Sequence, residues 1–480
     1  VFKVIWNHAT QTWTAVSEIS HAHGKKSASD KRKAVAAAVA AAGALMASGA
    51  AQAEVDVANS TITIKSNDKT KNTQQLGINN INIGTGANTY RLKNGAVSHD
   101  AIAIGSDAKG MGDASVSIGL KANAAEQNGV AIGHGATNTS QDSVAIGTEA
   151  TSSKDMDVAI GKQAQATGGE SLAFGSQSKA SAAAAIAVGK ESNAAGSSAV
   201  ATGYQANAAA ANTVATGKSA TATVDNAVAV GVGSAATSRN ALALGGYSAA
   251  SGERATAVGA ASKATGTASF AGGTSANAAG VNSVAVGGSM TPAEAAQAAG
   301  ANSVAVGSKS NAKQAADVAV GHGAKADGAS AGSDGAGVVN NAGSAMAIGT
   351  EAQATGIVAT AIGQRSQALA NGAVALGGDA QAKKGSDVAI GRGSVADGIS
   401  AAAFGPAATA TAQYAVALGV QSNAASNQAI ALGRSAQANG GEYATALGNA
   451  AQATGKNTLA LGTEAKSTIE NSVALGNGST

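Results

Sequence analysis

Ala103-Ile104-Gly105 opens a pattern that returns as Ala131-Ile132-Gly133, Ala145-Ile146-Gly147, Ala159-Ile160-Gly161, Ala173-Phe174-Gly175 and Ala187-Val188-Gly189. The glycine recurs every 14 residues without a break from Gly105 to Gly287. A six-residue insertion moves the next one to Gly307, and the step of 14 then runs to Gly433. One slip of 15 leads to Gly448, and Gly462 and Gly476 close an array of 27 units. Self-similarity at a short fixed period marks a solenoid, because one unit cannot bury its apolar face alone and must stack on its neighbours.

Three residues before the glycine stands Val in many units (Val144, Val158, Val284, Val304, Val473), then Ala, then Ile, Val, Leu or Phe. Such period-two alternation reads as a short strand, with Val and Ile on one face and Ala on the other. Two variable residues follow the glycine as a turn, such as Thr148-Glu149. Small residues three and five positions after the glycine, as in Ala164 and Ala166 or Ala206 and Ala208, give a second strand. A further glycine seven positions on, as at Gly112, Gly168 and Gly196, is expected to close the coil through a positive φ. Coils about 4.8 Å apart would build a rod of roughly 130 Å. Two turns in 14 residues leave a thin roll, expected to hold Val and Ile inside and to keep the opposite Ala small for the approach of another chain. Glycine at this frequency would break a helix.

Asn282-Ser283-Val284-Ala285-Val286-Gly287, Asn302-Ser303-Val304-Ala305-Val306-Gly307 and Asn471-Ser472-Val473-Ala474-Leu475-Gly476 resemble the head repeat of trimeric autotransporter adhesins, the YadA-like family. The resemblance spans residues 101–287 and 302–480. It implies an all-β fold, a homotrimeric left-handed parallel β-roll displayed on a Gram-negative surface, and adhesion to host matrix or cells.

Residues 1–53 read as a targeting segment, helical or disordered. Lys31-Arg32-Lys33 is its basic part, Ala34 to Ala47 its apolar run, and Ala51-Gln52-Ala53 a small-x-small signal for cleavage before Glu54. Upstream, Val1 to Asn7 and Trp13 to Glu18 resemble the extended signal peptide region of large autotransporters. Removing the segment takes away six of the 31 basic and two of the 28 acidic residues, which turns the formal charge from +3 to −1. A near-neutral rod lacks the basic stripe that nucleic-acid binding needs. The chain has no cysteine, which suits the unfolded passage through an outer-membrane pore that the resemblance implies, with stacking in place of disulfides.

Residues 54–100 carry the repeat weakly and read as an N-terminal cap or a lead-in, with Ile81-Asn82-Ile83-Gly84 as a degenerate coil. Within 288–301, Thr291-Pro292-Ala293-Glu294 has helix-start signals and Gly300 a stop, so one or two projecting helical turns are expected. Near Gly335, Asp334 replaces the apolar residue and predicts a weak core. The resemblance further implies a stalk and an outer-membrane anchor beyond residue 480.

No constellation of side chains points to catalysis or to a cofactor. His134 and His322 each follow a repeat glycine but lie roughly 60 Å apart along the rod, too far to share a metal. Asp107, Asp155, Asp157, Asp317 and Asp387 do not fall in a calcium-binding nonapeptide pattern, and hexapeptide acyltransferase coils would require multiples of six. Thr202 and Thr216 replace the apolar residue in adjacent coils and are expected to form a hydroxyl ladder. Function therefore rests on surfaces: adhesion through collagen, laminin, fibronectin or cell-surface partners, as the resemblance implies, with Glu149, Lys162, Lys190, Tyr204, Lys218 and Tyr247 on the exposed turns. A spacer or autoaggregation module without a specific host ligand is the alternative.

Overall fold

The computed structural model describes residues 2–7, 12–17, 54–58, 61–65, 79–89, 98–328 and 343–480. Each 14-residue rung contributes a three-residue strand just before the repeat glycine and a two-residue strand just after the first turn, such as Val144–Ile146 and Thr151–Ser152. Each strand pairs in parallel with its own copy one rung on. Val144 faces Val158, Ala145 faces Ala159 and Ile146 faces Ile160, while Thr151 faces Gln165. Among the described residues 26 three-residue strands form this ladder from Ile102–Ile104 to Val473–Leu475. A parallel ladder with equivalent residues in line satisfies the backbone of every rung through its neighbours.

The two faces of the strands are the reverse of the sequence expectation. Ala145, Ala159 and Ala173 are fully buried inside the roll, together with Ser143, Ala150 and Ser152 of the same rung as Ala145. Val144 and Ile146 point outward and are only half buried. Hydropathy favours Val inside, but volume decides: the two sheets lie so close that alanine and serine fill most of the gap, and a larger side chain at the place of Ala145 would overpack it. Alanine is kept small by the opposite sheet of its own chain. Thr202 and Thr216 accordingly stand on the outer face, half buried, and do not bond to each other.

The turns explain the glycines. Gly147 has φ +132°, and a Cβ there would lie 2.4 Å from the carbonyl oxygen of Gly161 in the next rung. Both the backbone conformation and the space exclude any side chain. The glycine seven positions on works differently from expectation. Gly196 is absent from the positive-φ residues, and its role is clearance, since a Cβ would meet the Ala210 carbonyl oxygen at 1.9 Å. The left-handed residue of that second turn comes two positions later, at Ser198 with φ 55°. Asn often fills this place and forms ladders of its own, Asn212 donating to Asn226 at 3.2 Å and Asn226 to Asn240 at 3.1 Å. Val358 holds the same place at φ 49°, a conformation that a β-branched residue tolerates poorly. Val358→Asn is expected to stabilise its rung by about 1 kcal/mol, read as increased hydrogen-exchange protection of the neighbouring amides.

Irregularities in the repeat fall in turns and leave the ladders in line. After the insertion Val284 still pairs with Val304 and Asn277 with Gln297. The expected helical turns shrink to a single 3-10 turn over Pro292–Glu294, where Thr291 makes no side-chain cap. Ala295, Ala296 and Ala298 are fully buried in the roll, because the solenoid claims this alanine run before a helix can grow. The slip of 15 lies in the second turn, since Gln437 pairs with Gln452 and Ile430 with Thr445.

Asp334 and Gly335 lie outside the described residues, and the ladders close across this gap. Val318 pairs with Met346 and Lys325 with Gln353, so the described ladder has one rung fewer than the 27 units counted in the sequence. Asp317 fastens the junction by accepting from the backbone N–H groups of Gln314 at 2.7 Å, Gly328 at 3.2 Å and Ala345 at 2.9 Å. Asp157 and Asp387 occupy the equivalent buried place; Asp387 accepts from Lys384 at 2.8 Å and Ala401 at 2.9 Å. Burial raises the Asp387 carboxyl above its ordinary value despite these donors. The folded chain thus takes up the proton more readily than the unfolded one, and the site loses stability as pH rises through the folded pKa. Asp387→Asn should therefore gain on the wild type as pH rises through that value, measured as the difference in Tm.

At the N-terminal end, Glu54–Ala58 and Thr61–Lys65 form an antiparallel hairpin. Its second strand pairs in parallel with Ile81–Ile83, which pairs with Ile102–Ile104. Phe2–Asn7 and Thr12–Ser17 form a separate antiparallel pair, where the sequence predicts helix or disorder. In its register Phe2 is opposite Ser17 and Trp6 opposite Trp13. Ala51 and Ala53 lie outside the described residues; Glu54 opens a strand.

Candidate functional site

The rung gives the rod four surfaces. The outer side of the three-residue strands carries the apolar residues, and no part of the described chain covers it. Phe174 is 51% exposed, Leu244 42% and Leu432 44%, where a monomer would normally bury such side chains. Of the repeat residues, Ala145, Ala159 and Ala285 are inside, Gly147, Gly161 and Gly287 make the turns, and Ile146, Ile160, Val284 and Val286 belong to this outer stripe. Along it side-chain size drifts freely. Phe270 leans over Gly272, where a Cβ would meet the ring at 2.8 Å.

The opposite surface is the outer side of the two-residue strands, and it is polar. Gln353, Gln367 and Gln381 follow one another there, as do Asn193 and Asn207, whose side chains bond at 2.9 Å. Ion pairs between successive rungs add to it and to the turns, with Lys313 to Asp327 at 2.7 Å and Arg365 to Asp379 at 2.7 Å. Exposed pairs of this kind contribute little stability each.

Two edges remain. The edge after the repeat glycine brings Glu149, Lys162, Lys190, Tyr204, Lys218 and Tyr247 into two adjacent columns, all reached by solvent. Gln163 donates to Glu149 at 2.8 Å and Gln205 to Glu191 at 2.8 Å. The Gln205 amide, then Lys190 at 3.2 Å, holds the Glu191 carboxyl below the ordinary range. Lys190 also lies 5.6 Å from the Tyr204 ring centroid, within cation–π range. Beside this edge runs an open groove lined by Gln163, Gln165, Gln177, Lys179, Glu191 and Asn193.

His134 and His322 follow their repeat glycines as the sequence indicates, and His322 Nδ1 is 2.9 Å from the Ser308 hydroxyl. Among the described residues no three of His, Asp and Glu converge as metal ligands would. Sequence reasoning missed the buried aspartates. Their signal was available: Asp157, Asp317 and Asp387 each precede Val-Ala-Ile/Val-Gly, where Ser or Ala stands in most other units.

Comparison with known proteins identifies the repeat. The model of the YadA head domain repeat matches in overlapping copies from residue 112 to 479, with gaps, over more than half of the chain. The extended signal peptide of the type V secretion system matches residues 1–48. No curated protein matches the chain. Among solved structures, the collagen-binding domain of the Yersinia adhesin YadA aligns at 20% identity, covering 54% of this chain and 92% of that one, with a TM-score of 0.12. With the head-repeat model matching more than half of its length and the extended signal peptide model matching residues 1–48, the chain belongs to the trimeric autotransporter adhesins built from YadA-type head repeats, exported to the cell surface and held at the outer membrane.

Proposed function

We propose that the rod is the binding part of the adhesin, and that three copies pack through the Val/Ile stripe so that the polar face and edges stay outward to meet host matrix proteins or cells. The observation that carries this reading is the asymmetry of the rung: apolar side chains concentrate on the outer face of the three-residue strands in every rung, while polar groups gather on the opposite face and the edges. Burying the stripe removes a large exposed apolar surface, and identical chains meet with like residues at like heights. A shallow site repeated along a stiff rod, in three copies, turns weak contacts into firm attachment. Collagen, laminin and fibronectin are the partners that the family points to. Cleavage after Ala53 is proposed to release the mature chain at Glu54.

Removal of two whole rungs, residues 204–231, tests the reading, since this deletion keeps the 14-residue step. Cells displaying the shortened protein should lose attachment to matrix-coated surfaces in proportion to the sites removed. Undiminished attachment with only shorter reach would contradict it and favour a spacer.

A further inference from the structure

Side chains 28 residues apart stand two rungs apart, about 9.6 Å along the rod. Directly after the repeat glycine, His134, Lys162, Lys190 and Lys218 follow one another at this spacing. Thr148, Ser176 and Tyr204 alternate with them in the rungs between. Backbone bonds hold the column straight: the N–H groups of Gln177, Gln205 and Gly233 donate to the carbonyls of Lys162, Lys190 and Lys218 at 2.8 to 3.0 Å. Beyond Lys218 the same position carries Val232, Gly246 and Ala260, so the charged alternation is confined to one stretch of the edge.

We propose that this edge binds a linear acidic polysaccharide bearing one anionic group per disaccharide. An extended pyranose chain advances by nearly two rungs for every two sugar rings, so its carboxylates meet successive lysines while the sugars between lie over Thr148, Ser176 and Tyr204. The exposed Tyr204 ring offers a face for stacking, with Lys190 beside it. Gln165, Gln177 and Asn193 in the adjoining groove supply amides for sugar hydroxyls, and Lys179 adds a further cation. Two carboxylates oppose the ligand, Glu149 and Glu191. Each already accepts from a glutamine, and Glu191 also pairs with Lys190, so Lys162, Lys179 and Lys218 keep the stretch positive. The inference deepens the adhesion reading by naming a ligand class, and rests on it only in requiring the edge to be displayed.

The test uses hyaluronan as the probe, at about 0.15 M salt, on cells displaying the protein. K162Q/K190Q/K218Q should retain about tenfold less hyaluronan, since three screened contacts per chain are lost in every copy. T148K/K162T keeps the net charge but moves one cation by one rung, and should also lose binding. Attachment of the unaltered protein to collagen-coated surfaces, assayed in parallel, reports separately on the broader adhesion reading. Equal hyaluronan retention by all three proteins would overturn the inference. So would full retention by T148K/K162T, which would mean that charge matters and spacing does not. A triple variant that no longer forms trimers would also overturn it, placing the column between chains.

Discussion

Gly231→Ala is expected to break the rod at one rung. The residue has φ +133°, and an added Cβ would lie 2.5 Å from the Gly245 carbonyl oxygen in the rung above. Left-handed strain and a backbone clash act together, and neither can be relieved by rotating a side chain. The cost is about 3 kcal/mol or more. Because a solenoid is held by nearest-neighbour contacts, the loss should stay local. Hydrogen exchange should show lost protection at Gly231 and Gly245, whose N–H groups donate to Thr216 and Val230 at 2.8 Å, while rungs far along the rod are unchanged. Full protection of both amides would mean that the turn is not built as described.

The second large effect separates the two sides of a strand. Ala229 is fully buried and pairs in line with Ala215 and Ala243. Ala229→Leu should cost about 3 kcal/mol, since the ladders on both sides prevent the sheets from parting to admit the extra volume. Val228 and Val230, its immediate neighbours, point the other way and are half buried. Replacing both with Asn should leave the single-chain roll intact and weaken association of the three chains, measured by sedimentation. The opposite arrangement, with valine inside, exchanges the two outcomes.

Period, strand positions, parallel stacking and the first-turn glycine follow from the sequence because each leaves a mark at fixed spacing. The 14-residue step places Gly147 over Gly161, and the alternation of Val144, Ala145 and Ile146 identifies a strand. Alternation alone is symmetric, however, and assigns no face to the interior. Its sign lay in a different comparison. Two places per rung, such as Ala145 and Ala150, stay small in every regular rung, while the valine and isoleucine places drift to Phe174, Thr202 and Gly272. A thin interior tolerates no such drift, so variation in size marks the outside.

Local propensity misled at Thr291 to Ala299, where helix signals are strong but the alanines fit the roll better. The glycine seven residues past the first had the wrong role for a related reason, since clearance between rungs depends on a neighbour 14 residues away and not on local φ. The exposed edge was legible as turn residues. That His134, Lys162, Lys190 and Lys218 form one straight column emerges only once rungs are laid on rungs.

The central claim is that alanine fills each roll and the Val/Ile stripe faces the sister chains. The natural chain has no cysteine, which makes single-cysteine cross-linking clean. Val228→Cys on the displayed protein should form interchain disulfides on mild oxidation, whereas Ala229→Cys should neither cross-link nor react with a thiol reagent. Cross-linking through Ala229→Cys, with Val228→Cys unreactive, would contradict the account.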